Sequence, residues 1–161
     1  MKIVFLDIHG VLLTERHRVP DESALWGREL DPAAVANLRR ILEDTGARII
    51  ITSSFRQGRT LSDLQRAFVK SGLAPFVIGL TPVLRDGTRA AEIQTYIDDV
   101  KDSPSVVEEF VIVDDMPSMG PLHSQFVQTE PWQGITDETY RQTMALLGSA
   151  QARPGPSQDL S

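Results

Sequence analysis

The residues able to do chemistry in this sequence stand directly behind apolar runs. Asp7 follows Lys2 to Leu6 (KIVFL), Thr52-Ser53-Ser54 close the run that begins at Arg48 (RIIIT), and Asp114-Asp115 follow Phe110 to Val113 (FVIV). A single acid behind a strand is usually a cap or a turn residue. Several polar strand ends in one sheet, with Gly10 free to turn the backbone sharply after the first, point instead to a site. Carboxylates converging from adjacent strands repel unless a cation lies between them, and ligands that are all oxygen suit Mg²⁺ with water in the remaining positions. A hydroxyl from Ser53 or Ser54, together with backbone N–H groups at the strand end, can hold phosphate oxygens. A phosphate also needs a cation. Arg89 is the first candidate, with Arg56, Arg85 and Lys101 behind it.

These groups need elements to position them. Lys2 to Leu6 reads as a buried strand, and residues 13–30 as loop or short irregular helix without a clear period. Asp31-Pro32 is a helix start, with Val35, Leu38, Ile41 and Leu42 at helical spacing until Gly46. Arg48 to Thr52 is the second strand. Thr60 opens a second helix with Leu61, Leu64 and Phe68 on one face and Gly72 as its C-terminal glycine. Phe76 to Leu80 is the third strand. Thr88 or Asp86 opens a third helix with Ile93, Tyr96 and Ile97 inward, and Phe110 to Val113 is the fourth strand. Gln125 to Thr129 fits an edge strand, and Thr136 or Asp137 begins a last helix stopped by Gly148. Strands alternating with helices imply a doubly wound α/β domain, with a mostly parallel sheet and helices on both faces. Ligands then bind outside the carboxyl ends of the strands, where these polar groups fall.

Phe5 to Leu12 (FLDIHGVL), Ile50 to Arg56 (IITSSFR), Arg89 and Val111 to Asp115 (VIVDD) resemble motifs I to IV of the haloacid dehalogenase (HAD) superfamily. Val77 to Pro82 (VIGLTP) and Arg89 to Ile93 (RAAEI) are similar to the small, capless HAD domain of Swiss Army Knife RNA repair proteins, and the resemblance covers residues 2 to about 148. It implies a phosphatase in which Asp7 is the nucleophile that forms an aspartyl-phosphate. It also implies Mg²⁺ held by Asp7, the backbone carbonyl of His9 and Asp114, directly or through water. Ser53 matches the orienting hydroxyl and Arg89 the cation, while Asp115 either holds the metal's waters or orients Arg89.

One position departs from the family pattern. HAD phosphatases usually carry a second aspartate two residues after the nucleophile, as acid and then base, and here that residue is His9. Imidazole can donate and accept a proton near neutrality, so His9 either takes over the role or marks reduced activity and a phosphate-binding or regulatory module. The segment after Asp115 also lacks a further carboxylate, and Ser118 is its possible replacement through a water. A receiver-like phosphoacceptor domain is a third reading, against which the DxxGVL context of the first strand argues.

Residues 13–30 leave too little chain for a full cap, so the site is expected to be open. An open site favours a phosphate on something large, such as a nucleic-acid end or a protein. Arg16, His17, Arg18 and Arg28 with Trp26 are a possible basic and aromatic rim for single-stranded nucleic acid, against the alternative of a solvated loop. His123 reads as a turn residue, and Trp132 as packing the chain back on the sheet. Sixteen Lys and Arg against twenty-two Asp and Glu give a net charge of −6, which excludes a strongly basic nucleic-acid-coating protein. With no cysteine, disulfides, thiolate zinc sites and cysteine nucleophiles are excluded. No apolar run is long enough to span a bilayer, and the expectation is a cytoplasmic protein with one domain at residues 1–148 and a disordered tail at 149–161.

Overall fold

The computed structural model describes residues 1–148, so the tail expected at 149–161 lies outside the described residues. Five strands form one parallel sheet: β1 (Lys2–Leu6), β2 (Arg48–Ile51), β3 (Val77–Leu80), β4 (Glu109–Asp114) and β5 (Phe126–Gln128), in the order β3-β2-β1-β4-β5. β1 is central and lies buried along its whole length, which is why it carries a continuous apolar run rather than an alternating one. The chain moves outward from β1 to β2 and β3, then returns across the sheet to β4 on the other side of β1. That reversal leaves the carboxyl ends of β1 and β4 side by side at a topological switch point.

Alternation along the strands sorts the core into two layers. Val4, Leu6, Ile49, Ile51, Val111 and Val113 face α1 (Pro32–Thr45), α2 (Leu61–Ala67) and α4 (Asp137–Leu147). Ile3, Phe5, Ile50 and Ile112 face α3 (Arg89–Asp99), whose Tyr96 meets Phe5 edge to face with ring centroids 5.8 Å apart.

The helix ends follow local chemistry. Asp31 caps α1 by accepting from Ala33 N, Pro32 occupies its first turn, and Gly46 closes it at φ 75°. Thr88 caps α3 and Thr136 caps α4, each hydroxyl accepting an amide N–H of the first turn. α2 ends at Ala67, short of the expected Gly72, because the next amides turn to tighter partners: Phe68 N donates to Gln65 O and Val69 N to Arg66 O. Residues 13–30 contain no helix and only isolated bridges, Leu13 to His9 and Pro20 to Arg28. They are tied to α1 by Asp31, whose Oδ2 accepts from Thr14 Oγ1 at 2.7 Å and Arg16 Nε at 2.8 Å. They are tied to the end of α2 by a Lys70–Asp21 pair at 2.9 Å.

Trp132 differs from its expectation. It is 59% exposed instead of packed on the sheet, because the 130–134 turn joins the β1 loop through its backbone. Glu15 N donates to Pro131 O, Arg16 N to Trp132 O and Ile135 N to Val11 O. No helix among the described residues is long and apolar enough to cross a membrane.

Candidate active site

The parallel ladder runs one step past the strand ends. Asp7 N donates to Val113 O, Thr52 N to Leu6 O and Thr81 N to Ile51 O. Since Leu6 pairs with Ile51 and Phe5 with Ile112, continuing the register aligns Thr52, Asp7 and Asp114 in one row. Alternation places their side chains on the α3 side of the sheet, two residues beyond Ile50, Phe5 and Ile112. Three strands thus deliver a hydroxyl and two carboxylates to one line. Arg89 at the start of α3 approaches from above that face, where Nη1 lies 3.2 Å from Asp7 Oδ1 and 2.8 Å from Asp114 Oδ2.

Asp115 joins the group through Gly10. Gly10 stands at φ +74°, and a Cβ there would lie 2.2 Å from Asp115 Oδ2, so only glycine lets the two loops close. Gly10, a residue expected from sequence to line the phosphate position, donates its amide N–H to Leu13 O at 2.8 Å within the turn. Its contribution is room and direction. Thr129 Oγ1 donates to Gly10 O at 2.7 Å and fixes the same turn to the end of β5.

Asp7, Asp114 and Asp115 each bring a carboxylate oxygen within 4.8 Å of the others. Burial, then the charge of Asp114, pushes the Asp7 carboxyl up to about 6. Burial also raises Asp114 despite Arg89 beside it, and raises Asp115 with help from the Asp7 charge. Burial opposes the Arg89 charge, but Asp114 and Asp7 outweigh it and hold the guanidinium above its ordinary range. One guanidinium does not balance three carboxylates. The donors are all oxygen, and among the described residues nothing donates to the His9 carbonyl, so the set fits a hard divalent cation of the Mg²⁺ kind.

The other candidate cations take different places. Arg56 is buried, and its guanidinium donates to the carbonyls of Thr52, Ser53, Thr81 and Pro82 while Nη2 pairs with Glu92 at 2.9 Å. It clamps the β2 and β3 loops together and does not serve the acidic cluster. Lys101 lies beyond the far end of α3, away from Arg89, and Arg85 is exposed in the loop before Thr88.

Ser53 is buried and its Oγ accepts from Phe55 N at 3.3 Å, which leaves its proton to donate; Ser54 is exposed. Thr52, which the run of three hydroxyls does not set apart from Ser53 and Ser54, has a buried hydroxyl without a hydrogen-bond partner among the described residues, in the row of Asp7 and Asp114. A count of alternate residues from Ile50 would have singled it out over Ser53. His9 is exposed, hydrogen-bonds no described side chain, and stacks on Phe55 with ring centroids 5.1 Å apart and planes 23° apart. Ser118 is exposed and its Oγ accepts from Gly120 N, closing a turn. Of the expected basic rim, Arg16 pairs with Asp31 and His17 with Glu29, while Arg28 donates to Thr14 O.

A protein-family model described as the HAD domain in Swiss Army Knife RNA repair proteins matches residues 3–140, which include every residue of this cluster. No curated protein and no solved structure matches the chain.

Proposed function

Because the chain belongs to the family of HAD domains in Swiss Army Knife RNA repair proteins, we propose that it is a Mg²⁺-dependent phosphohydrolase that cleaves phosphomonoesters through an aspartyl-phosphate on Asp7, with polynucleotide ends as its substrates. The supporting observation is the buried Asp7 carboxylate held against Arg89 and within 4.8 Å of Asp114 and Asp115 at the C-terminal edge of a parallel sheet.

In the first step an Asp7 oxygen attacks phosphorus, the bond to the substrate oxygen breaks, and that oxygen takes a proton from the His9 ring as it leaves. In the second step water attacks the phosphoryl group, gives its proton back to the His9 ring, and releases phosphate and Asp7. Arg89 neutralises charge on the transferring group from a position fixed by Asp114. Thr52, with Ser53 and Ser54 beyond it, supplies hydroxyl donors to the phosphoryl oxygens. Asp7, Asp114, Asp115 and the His9 carbonyl would hold Mg²⁺, which supplies the remaining positive charge. The segment 13–30 is tied toward α1 and α2, so the site stays open to a large substrate. A cytoplasmic setting belongs to the same reading.

A second reading is a phosphate-binding module with little turnover, and the stacking of His9 on Phe55 favours it, since that ring is held by an aromatic face where the family carries an acid. Hydrolysis of a generic phosphomonoester and of 3′- and 5′-phosphorylated oligonucleotides with Mg²⁺ tests both. Turnover by the native chain supports the first. Activity that emerges only in His9→Asp supports the second. No turnover by either protein overturns the phosphohydrolase assignment.

A further inference from the structure

We propose that the groove between residues 21–30, α1 and α2 is the track for a single-stranded nucleic-acid chain whose terminal phosphate enters the acidic site, an inference that rests on the phosphohydrolase reading above. A row of rings connects the two places. His9, two residues beyond Asp7, stacks on Phe55 at 5.1 Å; Phe55 meets the edge of Trp26 at 5.5 Å, and Trp26 lies 5.2 Å from Phe68. β1 and β2 are neighbours, so the loops that leave their carboxyl ends, carrying His9 and Phe55, start side by side. His9 is exposed, Phe55 and Trp26 are half-buried, and Phe68 at the end of the row is buried. The row therefore offers aromatic surface at the site and anchors it in the core.

Trp26 is also part of the groove wall. The groove encloses about 500 Å³, and its lining brings Arg28, Arg39, Arg66 and Lys70 together against only Asp21 and Glu29. Within the lining that is four cations against two carboxylates, with Glu43 pairing Arg39 at 3.7 Å and Asp63 pairing Arg66 at 3.1 Å from outside it. Arg66 and Lys70 are 74% and 75% exposed; the Arg66–Asp63 pair is a surface pair of the kind worth about 0–1 kcal/mol, which a phosphodiester backbone can replace, while Lys70 keeps free donors beside its tie to Asp21. Aromatic faces for bases beside cations for phosphates are what a single strand needs, and bases stacked inside a duplex cannot use them.

The test measures kcat/KM with Mg²⁺ for phosphorylated single strands from mononucleotide to tetranucleotide, for a phosphopeptide, and for a blunt duplex bearing the same phosphate. The expected result is a rise of about tenfold to a hundredfold with single-strand length. The rise falls with salt and is largely erased in Trp26→Ala and in the exposed double variant Arg66→Glu, Lys70→Glu. Equal values across lengths, equal values for duplex or phosphopeptide, or a length gain that survives in the folded double variant overturns the groove. If no phosphate is released from any substrate, the hydrolase reading falls, and fluorescence anisotropy on the same labelled strands decides the groove separately. Affinity that grows with length and is lost in the double variant supports it; affinity independent of length overturns it.

Discussion

Burial and the charge of Asp114 raise the Asp7 carboxyl from 3.8 to about 6, so the metal-free folded chain takes up a proton there that the unfolded chain has released. The stability linked to that proton is fully present below the unfolded value and is lost as pH rises through about 6. Asp7→Asn is therefore expected to stabilise metal-free protein at pH 7.5 by on the order of 1–3 kcal/mol and to give no gain below the unfolded value. Thermal melts of both proteins across that range check it, and a gain that does not change with pH refutes it. Thr52 carries the opposite balance of stability and function. Its buried hydroxyl has no partner among the described residues, so Thr52→Val removes an unmet donor at constant shape and is expected to leave stability unchanged or raise it by about 1 kcal/mol. The same change is expected to weaken phosphate binding, and a calorimetric titration with inorganic phosphate beside a urea melt reads both. Asp7, Asp114 and Arg89 were legible because each sits next to an unmistakable element boundary. Thr52 was obscured by Ser53 and Ser54, since three consecutive hydroxyls can be told apart only by strand parity.

Between elements, Arg56 does what no single-sequence cue separates from a catalytic cation. Five donors on a planar guanidinium reach carbonyls of two loops and the carboxylate of Glu92, which in turn accepts from Leu84 N. Arg56→Met leaves Glu92 buried without a counter-charge and frees the β2 and β3 loops, and the expected cost is about 3–5 kcal/mol by urea denaturation. Cooperative unfolding at an unchanged midpoint would place the guanidinium outside the fold's support. The helices were legible where side chains close on their own backbone, as at Asp31, Thr60, Thr88 and Thr136, because capping is a local interaction. Trp132 and Arg56 were not, since what they meet depends on how the loops of separate strands pack against one another.

For the molecule as a whole, the sheet order makes the site a consequence of topology: the return crossing to β4 sets Asp114 beside Asp7, and Gly10 lets Asp115 close the cluster from the same strand end. Three carboxylates so placed resist one another, and the fold tolerates them because Arg89 offsets part of the charge. A bound divalent cation should then act as a stabiliser of the folded state, and its effect should grow when Asp7 carries a phosphoryl mimic. With Mg²⁺ and beryllium fluoride together at about 100 times their apparent dissociation constants, linkage gives about 2.7 kcal/mol. For a chain of this size that is a rise in Tm of about 5–10 °C. Mg²⁺ alone should give a smaller rise. Asp7→Asn should lose the increment due to beryllium fluoride entirely, because the mimic needs a carboxylate oxygen to bond, while retaining part of the Mg²⁺ effect through Asp114 and Asp115. Differential scanning fluorimetry of the two proteins under the three conditions makes the comparison. An increment from beryllium fluoride that survives in Asp7→Asn removes Asp7 as the nucleophile even if phosphate is released, and would move the search for the attacking group to Asp115 across the Gly10 turn.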